Sequence, residues 1–352
     1  MDQATIISLS DRRVSVDIHG PWGSLPGSIS LPFRSGINPH VRALSAQNIA
    51  WAAKIGLVDD ERFVDAIWRC QFDQLAALCH RGCSLEALQL ITNCYTAIFA
   101  LDDMLDDAKS VIGSSPALAL HVTRYLSATI ADEPRPLLRL DVPGRERIVA
   151  VGDAYADVAR RLLAYTDRAG IRHYVAGMRD YFRGCVMEAS LRNQPVSSVA
   201  EYANVRLGCS AVYPTLDIGA IVDGLDVSVH TRSQASFQAM RVATNLCVSY
   251  VNDLFSYAKE SSAGETSNLV TIYQNVHGMD LRSAMHAAMR TNDRVVADYL
   301  GAKTRFVADN GLDDDTLGYL AIMQDWMRGN FDWYAERRTA RYTDCLSTAI
   351  PA

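Results

Sequence analysis

Apolar positions in this chain recur at three- and four-residue spacing over long blocks, and each block closes on a turn signal. Pro39 to Ile55 opens on proline, carries an apolar stripe and stops before Gly56, the start and stop marks of a helix. Blocks of the same kind run from Asp60 to His80, Ser84 to Asp107, Ser115 to Asp132, Arg145 to Asp167 and Ile171 to Arg192. Ser197 to Gly224, Arg232 to Glu260, Asp280 to Asn310 and Asp313 to Tyr342 complete the series. No strand-like alternation is sustained between turn signals, and there is no glycine-rich phosphate loop and no internal repeat. About ten helices joined by short connections predict an all-α bundle. Ahead of Pro39 the text is rich in Gly, Pro and Ser, as in Gly20-Pro21-Trp22-Gly23-Ser24, which predicts an extended arm with turns. The expected division is an arm over 1–38, a helical domain over 39–345 and a tail over 346–352.

Composition narrows the class. The 352 residues are 49% hydrophobic and 21% charged, too apolar for a disordered chain. A net charge of −6 argues against a nucleic-acid binder, which needs a basic face. No segment reaches roughly 18 uninterrupted apolar residues, so no membrane span is expected. The first twenty residues lack a basic stretch followed by an apolar one, so no secretory leader is expected and the cytoplasm is the expected compartment. Eight cysteines lie mostly inside helical blocks and read as buried free thiols. Cys79-His80-Arg81-Gly82-Cys83 has metal-ligand spacing, but no second ligand pair accompanies it.

Two polar clusters break the apolar pattern. One helical block ends Phe99-Ala100-Leu101-Asp102-Asp103-Met104-Leu105-Asp106-Asp107. At about 100° per residue, Asp102 and Asp106 share a face one turn apart. Carboxylates so placed repel each other, and the negative end of the helix dipole adds to the conflict. A solvated acidic helix end is one reading. The nearly all-apolar run from Cys94 to Leu101 favours the other, carboxylates on a buried helix bridged by hard divalent cations. The second cluster is Asn252, Ser256 and Glu260, at i, i+4 and i+8 on a helix whose preceding residues, Leu246 to Val251, are largely apolar. An amide, a hydroxyl and a carboxylate along a stripe about 12 Å long can give three oxygen ligands to one hard cation. Asp253 and Lys259 flank it. Two oxygen-rich clusters suggest metals gathered on one anionic ligand, and a diphosphate is the natural bridging group.

Together these features resemble the class I terpene synthases of the bacterial type. Asp102-Asp103-Met104-Leu105-Asp106 matches the aspartate-rich DDxxD motif, and Asn252 to Glu260 matches NDxxSxxxE, including the penultimate lysine. Arg206 stands 46 positions before Asn252, where the family has a diphosphate-sensing arginine. Trp333 is followed by Arg341-Tyr342, matching the family's C-terminal Arg-Tyr pair. Leu31-Pro32-Phe33 and Asn38-Pro39 look like the family's N-terminal arm. The chain departs from the pattern at Cys209 and Ser210, the third and fourth residues after the sensor position, where Asp and Gly are common; Pro214 is expected to keep the helix break found there.

The resemblance implies a single-domain all-α fold around an apolar cavity and the cyclisation of a linear prenyl diphosphate, farnesyl diphosphate ahead of geranylgeranyl diphosphate. It implies three Mg²⁺ ions, with Mn²⁺ able to substitute. Asp102 and Asp106 would bind two of them, and Asn252, Ser256 and Glu260 the third. Arg206, Lys259, Arg341 and Tyr342 would donate to the diphosphate. Tyr95, Phe99, Cys209, Ser210 and Trp333 are the candidate cavity wall. The partner expected is the substrate alone, with neither nucleic acid nor membrane, and the resemblance is compatible with a homodimer. Rival readings are a prenyl chain-elongating synthase and a non-catalytic metal-binding helical protein.

Overall fold

The computed structural model describes residues 13–58, 61–106, 111–136, 138, 142, 144–191, 196 and 198–335. Contacts along the chain divide it into two compact units, Ile37–Pro195 with Asn204–Asp226, and Met1–Gly36 with Val196–Ala203 and Val227–Ala352. Two strands come first, β1 (Arg13–Gly20) and β2 (Gly23–Ser30). After a 3-10 turn at Pro39–Ala43 come α1 (Leu44–Ile55), α2 (Glu61–Cys70), α3 (Phe72–Cys79), α4 (Leu85–Asp106) and α5 (Pro116–Ile130). Then follow α6 (Arg145–Leu162), α7 (Arg172–Leu191), α8 (Val199–Cys209), α9 (Val212–Val222) and α10 (Val229–Ser233). The last are α11 (Ala235–Ala263), α12 (Leu269–His277), α13 (Leu281–Asn310) and α14 (Asp314–Ala335). The fold is all-α apart from the two strands.

In the first of these units α4 is the central element, in contact with α1, α3, α6, α7 and α9. From Leu90 to Leu101 every residue except Phe99 is buried. A buried helix needs partners for its polar side chains, and α4 has them. Asn48 on α1 donates to Thr96 at 2.9 Å and accepts from Asn93 at 2.9 Å, and Arg161 on α6 donates to Asn93 at 2.8 Å. Where α7 crosses α8, a Cβ on Gly184 would lie 2.2 Å from the carbonyl carbon of Gly208, so the backbones meet with no room for a side chain.

Two predicted blocks turn out to be broken helices. Asp60 to His80 is split at Gln71, which has φ of 52°. Ser197 to Gly224 is split at Ala211, φ 56°, and α8 and α9 bend by 41°. The break therefore precedes Pro214, which lies in the first turn of α9, where a missing N–H costs nothing.

The other unit is built on α11, a 29-residue helix flanked by α10, α12, α13, α14 and β1. Gly264, at φ 79° in the left-handed region, closes α11. The short helix α12 lies between two of the predicted blocks, in the stretch from Glu260 to Asp280. Asn268 caps it by accepting the Val270 N–H at 2.8 Å, and Leu269, Val270, Ile272 and Tyr273 are buried.

The arm departs from the expectation of no sustained strand. β1 and β2 form an antiparallel hairpin with Ile18 opposite Leu25 and Gly20 opposite Gly23. Val16, Ile18, Leu25 and Ile29 are buried while Asp17, His19 and Ser24 face out, the period-two pattern of a half-covered sheet. The alternation in Val14-Ser15-Val16-Asp17-Ile18 carries that signal, but the partner strand, with two glycines and a proline, hides it. The hairpin lies on α13, where Asp293 accepts from the Ser30 N–H at 2.6 Å and pairs with Arg13 at 3.0 Å.

Candidate active site

The aspartate cluster depends on apolar packing. α4 is enclosed through Leu101, after which Asp102 is half-buried and Asp103 exposed. Asp106 is the last residue of α4; its side chain, and all of Asp107, lie outside the described residues. Behind Asp102, the buried Tyr155 of α6 donates to the Ala97 carbonyl at 3.3 Å. Its phenol is held well above the usual tyrosine range, by burial first and then by Cys94, Cys185 and the Asp102 carboxylate. One turn before Asp102, the half-buried Phe99 stacks on Phe72 with centroids 4.3 Å apart and planes 10° from parallel. Tyr95 is buried, its hydroxyl 2.7 Å from His80 Nε2.

The second cluster is held differently. Asn252 and Glu260 are half-buried, and Ser256 between them is fully buried, its hydroxyl without a hydrogen-bond partner among the described residues. Asn252 Nδ2 donates to the Tyr334 hydroxyl on α14 at 2.7 Å, and Glu260 Oε2 accepts from Asn268 Nδ2 at 2.8 Å. Asp253, 1% exposed, faces away from the stripe. Its Oδ2 accepts from the Tyr202 hydroxyl at 2.6 Å and the Leu269 N–H at 3.2 Å, and its carbonyl accepts a second bond from Asn268 Nδ2 at 2.9 Å. Asp253 thus ties the start of α12 to the Asn252 end of the stripe. Lys259 is half-buried beside it.

These donors fit a hard divalent cation. An unpartnered buried hydroxyl costs about 1–3 kcal/mol, and Ser256 sits where a cation between Asn252 and Glu260 would remove that cost. The set is all oxygen, the preference of Mg²⁺. Among the described residues no three His, Cys, Asp or Glu side chains gather into a metal site. In particular, Cys79 and Cys83 are buried free thiols, burial pushes the Cys83 thiol up to about 12, and His80 is engaged with Tyr95.

The remaining candidates fall as follows. Arg206 is half-buried in the last turn of α8, its Nη1 4.0 Å from Cys209 Sγ. Cys209 is buried at the end of that helix, and the half-buried Ser210 lies in the break. Trp333 is fully buried, its ring 4.8 Å from that of Tyr334. Arg341 and Tyr342 lie outside the described residues. Sequence reasoning missed Tyr202, Asn268 and Tyr334, the side chains that bond to the second motif. Only Asn268 had a local signal: Ser267-Asn268-Leu269-Val270 has the form of a helix cap before an apolar run.

Comparison with known proteins bears on the same helices. The chain is 28% identical over 304 residues to a (2E,6E)-farnesyl diphosphate cyclizing (+)-T-muurolol synthase of Roseiflexus castenholzii, covering 86% of this chain and 90% of that one. It is 26% identical over 332 residues to a (+)-eremophilene synthase of Sorangium cellulosum, covering 93% and 95%. Among solved structures, α-eudesmol synthase superposes with a TM-score of 0.74 at 20% identity, over 87% of this chain and 97% of that one. Germacradien-4-ol synthase of Streptomyces citricolor superposes at 0.73 with 20% identity, over 88% and 98%. At these identities the superpositions establish the fold. No single helix among the described residues is long and apolar enough to cross a membrane. Residues 93–298, which hold the whole of α4 from Asn93 on and the stripe of α11, match the family model for terpene synthase family 2, C-terminal metal binding, and the chain belongs to that family of terpene synthases.

Proposed function

We propose that this terpene synthase is a class I cyclase. It ionises a linear prenyl diphosphate, farnesyl diphosphate foremost, closes the resulting carbocation into rings and releases diphosphate. The observation that carries this reading is the buried, unpartnered Ser256 hydroxyl between Asn252 and Glu260. Two farnesyl-diphosphate-cyclizing relatives, the (+)-T-muurolol synthase and a 4-epi-cubebol synthase, support the fifteen-carbon substrate.

Bound Mg²⁺ would neutralise the charge that builds on the departing diphosphate. Asn252, Ser256 and Glu260 would hold one ion, and Asp102 with Asp106 two more. Arg206, Lys259, Arg341 and Tyr342 are assigned to the diphosphate as donors, more strongly engaged as the C–O bond breaks than before it. The Phe99 ring, paired with Phe72, presents a π face able to stabilise a passing cation. The reaction would need an apolar surround that excludes water from the carbocation until the cascade ends.

The test is incubation of the purified chain with Mg²⁺ and geranyl, farnesyl, geranylgeranyl or geranylfarnesyl diphosphate, with products read by mass spectrometry. Cyclic fifteen-carbon products from farnesyl diphosphate are expected. Turnover of a longer diphosphate alone would replace the substrate assignment. Consumption of isopentenyl diphosphate would favour chain elongation, and no turnover at all would favour the non-catalytic reading.

A further inference from the structure

The stripe on α11 has three oxygen donors, and the structure treats them unequally. The middle one, Ser256, has no partner among the described residues, whereas each outer one is bonded by an amide or hydroxyl from another element. Flexible Asn and Glu side chains can each turn several ways, so a ligand set built on them needs fixing before it can bind tightly.

Asn268 is suited to that task. It is fully buried, and its bonding pattern leaves one orientation of the amide. Oδ1 must face the Val270 N–H, a donor, at 2.8 Å, so Nδ2 faces two acceptors, the Asp253 carbonyl at 2.9 Å and Glu260 Oε2 at 2.8 Å. The Leu269 N–H bond to Asp253 then fixes the backbone beside it. At the other end, Tyr334 stacks on Phe255 with centroids 5.1 Å apart and planes 9° from parallel, which holds its hydroxyl against Asn252. By taking Nδ2–H, that hydroxyl directs the amide's Oδ1, the atom able to ligate a cation, away from α14.

We infer that Tyr334 and Asn268 are positioning residues that orient Asn252 and Glu260 for a divalent cation held with Ser256, an assignment that rests on the metal reading of this stripe. Neither is a ligand. Both act through the residue they bond.

The probe is Mg²⁺ with inorganic diphosphate, read as the rise in melting temperature of the full chain and as binding heat by calorimetry. Tyr334→Phe removes one hydroxyl and keeps the stack on Phe255. Asn268→Ser keeps a cap for α12 while losing the reach to Glu260. In Tyr334→Phe the metal-free melting temperature is expected to stay near that of the parent; in Asn268→Ser it is expected to fall, because the buried Asp253 carbonyl also loses its donor. In both, the Mg²⁺ concentration for half-saturation rises about 10-fold or more. Asn268→Asp, which keeps the cap but places a second carboxylate against Glu260, is expected to bind no better than Asn268→Ser. A variant that binds Mg²⁺ and diphosphate as the parent does overturns its assignment. So does a variant with a lowered metal-free melting temperature and unchanged half-saturation, since that is a purely structural role. If the parent itself shows no Mg²⁺-dependent response to diphosphate, the metal reading falls first.

Discussion

The end of α4 and the stripe of α11, both proposed to hold divalent cations, rest on opposite kinds of support. Asp102 hangs from a helix buried on nearly every residue of its preceding three turns, and the groups behind it are mostly apolar side chains and rings. The stripe of α11 is held by a polar network, with Tyr334 on Asn252, Asn268 on Glu260 and Tyr202 on Asp253. Apolar support fixes where a helix ends and leaves the last side chains to orient themselves. Polar support fixes individual atoms. Damage to the two regions should therefore be read on different instruments, stability for one and ion binding for the other.

The largest effects should come from the side chains proposed as ligands, where the two regions are expected to behave alike. Asp102→Ala and Asn252→Ala are each expected to lower cyclisation about 100-fold or more with little change in melting temperature, checked by product yield and circular dichroism. A variant with parental activity would remove its residue from the metal assignment.

Leu101→Ala separates the regions. Leu101 is fully buried immediately before Asp102, and its truncation should cost about 2–5 kcal/mol of stability in denaturant unfolding. Acid offers a second separation. Burial drives the His80 ring down to about 3 from its ordinary 6.5, so the folded chain keeps it neutral while the unfolded chain takes up a proton below 6.5. Stability from this residue is thus complete above pH 6.5 and falls by about 1.4 kcal/mol per unit as pH drops from there toward 3. His80→Gln should flatten that part of the pH–stability curve, and an unchanged slope would contradict it.

Which parts of this comparison could be read from the sequence follows from the same physics. The α4 cluster was legible because apolar periodicity and a run of aspartates are local signals. The stripe was legible because i, i+4 and i+8 are fixed by helix geometry. Its supports were not, since Tyr202 and Tyr334 stand 50 and 82 residues from Asn252 and only tertiary folding brings them to it. The breaks at Gln71 and Ala211 were hidden for another reason: both residues are ordinary helix formers that take positive φ only because packing imposes it. The hairpin escaped notice because one of its strands spends its positions on Gly and Pro.

The smallest expected effect tests that imposed strain. Ala211→Gly should relieve the left-handed backbone and gain about 0.5–1 kcal/mol, measured as a small rise in melting temperature. A loss of stability would mean the Ala211 methyl contributes more through packing than its φ costs.

The central proposal is a functional one, that the carboxylates of α4 and the stripe of α11 serve the same diphosphate. The most direct measurement is diphosphate release from farnesyl diphosphate by the parent, Asp102→Ala, Asn252→Ala and the double variant at saturating Mg²⁺. Residues acting as one unit give strongly non-additive losses, so the double variant should be scarcely slower than either single one. Losses that multiply, or a single variant with parental release, would contradict the account.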